Sequence, residues 1–246
     1  MEIPSRWSPL EPPATSPAIP QVALEEGRPP QPVAPGLWLF APNRDTAGGS
    51  AWLLDAETGP VLVDAPALTQ ANLVFLSQRP KGLIVLTGRD GHGRCRRLQE
   101  ALGWTVLVQE QEAYLLPGMA SLETFAEEHS PAPGLALLWT PGPSPGSCVL
   151  HVRTALDLLF CGRLLQPVGP GRLAPLPQRR IFHWPRLLRS IERLRHWLPA
   201  GSPHWIASGG GLGALRGEKL VGQGEDLLAS LDLAALASEL PPLSIG

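Results

Sequence analysis

The residues able to do chemistry gather in a few loops. Thr87-Gly88-Arg89-Asp90-Gly91-His92-Gly93 sets a carboxylate and an imidazole two positions apart on a glycine-rich turn. Such a pair can hold a divalent cation only with a third donor, for which Cys161 is the candidate, because most protein metal sites supply three or more ligands. On the same loop a bare Asp-x-His pair is also an ordinary polar turn. Arg89, Arg94, Arg96, Arg97 and Arg163 are cations that could receive an anion, with Ser144 and Ser147 as hydroxyl partners. Cys161 next to Arg163 could be a stabilised thiolate or an inert buried thiol. Gly146-Ser147 forms no Gly-x-Ser-x-Gly elbow, and no histidine falls in a recognisable triad frame.

A layered α/β chain would position these loops. Leu37 to Phe40, Ala51 to Leu54 and Val61 to Val63 read as strands, the last two joined by the turn residues Glu57-Thr58-Gly59. A helix over Leu68 to Arg79, a buried strand over Gly82 to Leu86, a basic helix over Arg94 to Leu102 ending at Gly103, and a strand over Thr105 to Val108 continue in βαβ order. Two short helical pieces are expected at Glu110 to Leu116 and Leu122 to Glu128. Strands follow at Leu135 to Trp139, Cys148 to Arg153 and Leu156 to Phe160. A helix over Pro185 to Leu198, a strand over His204 to Ala207 and a closing amphipathic helix over Glu225 to Leu240 complete the series. The first 35 residues hold ten prolines and few aliphatic side chains, which predicts a flexible proline-rich lead (1–35) before a domain over 36–246.

Composition bounds the partners. Twenty basic and twenty-two acidic residues in 246 give a net charge of -2, so no global field draws the chain to nucleic acid, which is not an expected partner. No apolar run is long enough to span a bilayer. Three cysteines, Cys95, Cys148 and Cys161, make no disulfide framework, and a reducing cytoplasm is the expected location of a soluble protein. Arg179, Arg180, Arg186, Arg189 and Arg193 could form a docking face for an acidic partner or simply the solvated side of a helix.

Taken together, the loops resemble the metallo-β-lactamase superfamily. The 87–93 loop stands where that family has Thr-His-x-His-x-Asp-His, and Thr140-Pro141-Gly142-Pro143-Ser144-Pro145-Gly146-Ser147 is similar to its Thr-Pro-Gly-His-Ser/Thr-Pro-Gly-Ser. Leu159-Phe160-Cys161-Gly162-Arg163 resembles Leu-Phe-Thr-Gly-Asp, Ala207-Ser208-Gly209-Gly210-Gly211 the closing Pro-Gly-His-Gly, and Val63-Asp64-Ala65-Pro66 the opening Val-Asp-x-Gly/Pro. The resemblance runs in family order from Trp38 to Gly211 and implies an αββα sandwich, an α+β four-layer variety of α/β fold, whose members hold one or two metal ions for hydrolysis.

At the ligand positions the likeness fails. The family's ligands fall at Gly88, Asp90, His92, Gly93, Pro143, Arg163 and Gly210. Glycine and proline carry no side-chain donor, and arginine stays protonated and repels a cation. No metal or other cofactor is therefore expected, and the resemblance implies a non-catalytic homologue acting by binding or regulation. One ligand class is a small anion held by Arg89, Arg94, Ser144, Ser147 and Arg163. Against it stands an internal pair in which Arg163 meets Asp90. The alternatives are a metallo-hydrolase with an atypical zinc site at Asp90 and His92, and a structural component docking on a protein partner.

Overall fold

A computed structural model of the chain describes residues 24–176 and 181–238. The strands are short and alternate their buried faces, and they form two large sheets. The first sheet runs in order β1 (Gln31–Ala34), β2 (Leu37–Leu39), β3 (Trp52–Ala56), β4 (Gly59–Val63), β5 (Leu83–Val85), β6 (Thr105–Gln109) and β7 (Leu122–Phe125). The second contains β8 (Glu128–Ala132), β9 (Leu135–Trp139), β10 (Cys148–Val152), β11 (Leu158–Gly162), β14 (Trp205–Ser208) and β15 (Val221–Gly222), in the order β15-β14-β11-β10-β9-β8. Between β11 and β14 in the chain, β12 (Gln166–Gly169) and β13 (Arg172–Ala174) form a separate hairpin.

Period-2 alternation assigns each strand residue to a layer. Leu37, Trp52, Leu54, Val61, Val63 and Leu107 of the first sheet meet Leu137, Leu150, Leu158 and Phe160 of the second in the central core. The alternate residues Leu53, Leu62, Ile84 and Val106 face outward, against Leu76 of α1 (Gln70–Ser77) and Leu98 of α2 (Cys95–Leu102). On the other side Leu138, Val149, Leu159 and Ile206 face Leu187, Leu188, Ile191 and Leu194 of α3 (Trp184–Trp197). Both sheets are thus buried on two faces, which gives the expected four-layer αββα sandwich.

Local chemistry sets the helix limits. The Thr69 hydroxyl accepts from Asn72 N at the start of α1, Gly103 ends α2 in the left-handed region, and the His183 ring accepts from Arg186 N ahead of α3. Strands β4, β5 and β6 are parallel, so the loops leaving their C-terminal ends lie side by side. The parallel pair β11 and β14 brings up the loops after Gly162 and Ser208 beside them.

Three expectations need correction. Order begins before residue 36: β1 pairs antiparallel with β2, and proline is tolerated there because β1 is an edge strand. Leu122 to Glu128 is not helical, since the free edge of β6 takes Leu122–Phe125 as a parallel strand. The short helical piece expected at Glu110 to Leu116 is present as a 3-10 helix over Glu110–Leu115, but the closing helix is broken into α4 (Gly224–Ser230) and α5 (Leu233–Ser238), with Asp232 capping the second. The first 23 residues and Arg179 and Arg180 lie outside the described residues. On α3, Arg193 is bonded to Glu127 and Glu128, and the Arg195 guanidinium donates to the carbonyls of Leu228 and Leu231. No helix among the described residues is long and apolar enough to cross a membrane.

Candidate functional site

Asp64 ends β4 in the left-handed region, φ +62°, and turns its carboxylate into the loop leaving β5. Its Oδ1 accepts from Thr87 N at 2.8 Å and its Oδ2 from the Thr87 hydroxyl at 2.7 Å. A side chain at Gly91 would overlap that carboxylate, so the glycine lets the loop lie against it. Burial pushes the Asp64 carboxyl up to about 6, opposed by the two Thr87 bonds and by the charges of His92 and Arg163.

Arg163 follows β11 and reaches across the cleft. Its Nη2 donates to the carbonyls of Thr46 at 2.7 Å and Ala47 at 3.0 Å, and its Nε lies 3.6 Å from Asp90 Oδ2. Thr46 and Ala47 belong to a tight turn from Asn43 to Gly49. The Asn43 side chain accepts from Thr46 N there, and the Thr46 hydroxyl donates to Gly49 O. Ser50 N, just beyond, donates to Gly209 O at 3.0 Å, which joins this turn to the loop after β14. Arg94 Nε lies 2.9 Å from Asp45 Oδ2 and ties the turn to the start of α2. The turn therefore sits as a cover over the cleft, and Arg163 is its bolt.

A second acid completes the floor. Glu112, in the 3-10 turn after β6, is fully buried; its Oε1 accepts from Gly146 N at 3.1 Å and its Oε2 lies 3.4 Å from His92 Nε2. Arg89 Nε is 3.8 Å from the same carboxylate. Desolvation pushes the Glu112 carboxyl up, but bonds from His92, Ser144 and Gly146 and the charge of His92 outweigh it and hold the group below its ordinary value. Ser144 and Ser147 bond each other, Oγ to Oγ at 2.7 Å, and a Cβ at Gly88 would lie 3.0 Å from both hydroxyls.

The named positions are thus brought together and many of their polar groups pair with one another, although His92 Nε2 and Glu112 Oε2, 3.4 Å apart, make no well-aligned hydrogen bond. The volume open to the centre of a water molecule between Asp64, Asp90, Pro143, Ser147 and Arg163 is about 20 Å³, room for about one water. Of the residues expected to receive an anion, Arg89, Ser144, Ser147 and Arg163 line this one space, with Arg89 and Arg163 facing carboxylates and the serines bonded to each other, whereas Arg94 pairs with Asp45 of the turn. The residues do not fit a metal. Gly88, Gly93, Pro143 and Gly210 offer no side-chain donor, Asp90 faces a guanidinium and His92 faces Glu112. Among the described residues, no group of three or more His, Cys, Asp or Glu side chains is placed to hold an ion.

Cys161 corrects the remaining metal and thiolate readings. Strand alternation turns it into the core under α3, its thiol is bonded to Leu165 O, and burial pushes its pKa up to about 12. Glu112 is the residue that sequence reasoning missed, because nothing in Glu110-Gln111-Glu112 distinguishes the acid that points inward.

Structural comparison finds an archaeal metallo-β-lactamase superfamily protein from Sulfolobus tokodaii at 20% identity and a TM-score of 0.55, covering 83% of this chain and 87% of that one. A metallo-β-lactamase from Hirschia baltica matches at 14% identity and 0.59, covering 82% and 97%. One from Pontibacter korlensis matches at 16% and 0.56, covering 82% and 99%. No protein-family model and no curated protein matches the sequence.

Proposed function

We propose that this chain, which has the metallo-β-lactamase fold, is a non-catalytic homologue that uses no metal and acts by binding, in a reducing cytoplasm where its three buried cysteines stay unpaired. The observation that carries the reading is Arg163. Where the fold would place a bridging carboxylate, a guanidinium is bonded to Thr46 O and Ala47 O and paired with Asp90. A partly buried guanidinium is held by such partners, and removing one leaves the other less well compensated. The same contacts leave about 20 Å³ open to the centre of a water molecule in the cleft, which supports a reading without a bound substrate there.

An atypical metal site at Asp90 and His92 draws no support from the geometry, because Asp90 faces the Arg163 guanidinium and no third His, Cys, Asp or Glu among the described residues is placed with them to hold an ion. The reading predicts that, with zinc, manganese or iron(II) supplied, turnover of β-lactams, simple esters and thioesters stays at the solvent background. β-Lactams are the substrate class in the names of two of the similar structures. Saturable hydrolysis that a chelator abolishes would refute the proposal.

A further inference from the structure

On the other side of the Asn43–Gly49 turn lies a larger groove of about 530 Å³, within the size range of small-molecule sites. Ser50 stands in the wall between the two spaces, contributing to both. Ala41, Pro42 and Leu212 give the groove its apolar surface over the buried Leu39 and Phe40, while Arg28 and Lys219 stand along it. None of the residues lining it is acidic. Among the described residues neither Arg28 nor Lys219 enters an ion pair, as is also true of Arg97, Arg153 and Arg216, but these two share one apolar groove with no acid in its lining.

We propose that this groove binds an amphipathic carboxylate, with an acyl chain along Ala41, Pro42 and Leu212 and the head between Arg28 and Lys219. The chemistry on each side is complementary. Apolar lining gains by covering a hydrocarbon chain, and two unpaired cations of like charge are relieved by one anion. A neutral chain would leave the cations as they are, and a small anion alone would leave the apolar wall wet. The inference does not depend on the cleft being metal-free, since Arg163 and Asp90 take no part in it.

Titration calorimetry of the full chain with decanoate, below its micellar range, tests the proposal. Saturable binding is expected, with decanol and acetate each at least about tenfold weaker, a difference of about 1.4 kcal/mol. The double variant Arg28→Gln, Lys219→Gln should lose decanoate affinity by a similar factor while decanol binding is unchanged. Gly213 lines the groove and has open space where a Cβ would go, so Gly213→Leu should fill it and abolish binding without shifting the melting temperature of the unliganded protein. No saturable heat with decanoate, or decanoate binding that survives Gly213→Leu, would overturn the assignment. Decanoate and decanol binding equally would overturn it as well.

Discussion

Gly142→Ala is expected to cost the protein about 3 kcal/mol or more of folding stability, the upper range for an overpacking substitution. Gly142 sits at φ +150°, a conformation L side chains rarely adopt, and an added Cβ would run into the backbone of Leu187, about 2.6 Å from its nitrogen. Leu187 is fully buried in the first turns of α3, and Gly142 O accepts from His183 N at 3.0 Å just before that helix. Relief therefore requires the helix to lift from the second sheet. Gly59→Ala is the control, because Gly59 also has positive φ but open space around it, so that variant carries only backbone strain of about 1 kcal/mol. Urea denaturation of both, followed by circular dichroism, checks the expectation. Equal losses would show that helix packing against Gly142 is not the cause.

Asp64→Asn should change the dependence of stability on pH. Folding raises the Asp64 carboxyl from 3.8 to about 6, so the folded state holds the proton more tightly. Its contribution is complete below pH 4, falls as pH rises towards 6, and is gone above it, a loss of roughly 3 kcal/mol. The asparagine amide can accept from Thr87 N and donate to the Thr87 hydroxyl without titrating. Relative to the wild type, the variant should therefore gain roughly 3 kcal/mol between pH 4 and pH 7. His151 acts in the opposite sense, since burial lowers its pKa and its contribution is lost as pH falls below the ordinary histidine value. Both proteins carry it, so it cancels in the difference. A difference in unfolding free energy that stays constant from pH 4 to pH 7 would contradict the account.

The layers were legible because strand residues on both faces are apolar. Val61-Leu62-Val63 and Leu158-Leu159-Phe160 can only be strands covered on two sides, and the glycines and prolines between such runs marked the loops. The same alternation could have turned Cys161 away from the cleft, since Phe160 faces the other sheet. Edge strands were harder. Pro32 and Pro131 argue against a strand in isolation, and only the free edges offered by β2 and β9 make them part of one. Leu122 to Glu128 reads as a helix for a related reason: the pairing of Leu122–Phe125 with β6 is a tertiary fact.

Within the site, the loss of ligand side chains at Gly88, Gly93, Pro143 and Gly210 was visible residue by residue. What replaced them was not. Arg163 bonds a turn 117 positions earlier in the chain, and Glu112 reaches Gly146 and His92 from a segment with no periodic pattern. Such contacts depend on how the loops are brought together, and no local spacing encodes them.

Metal analysis of the chain purified without chelator, then dialysed against excess zinc and desalted, tests the central claim most directly. Far less than one equivalent of zinc, iron or manganese per chain is the result predicted by a cleft bolted shut through Arg163. One or two tightly held equivalents, lost on Asp90→Ala or His92→Ala, would contradict it.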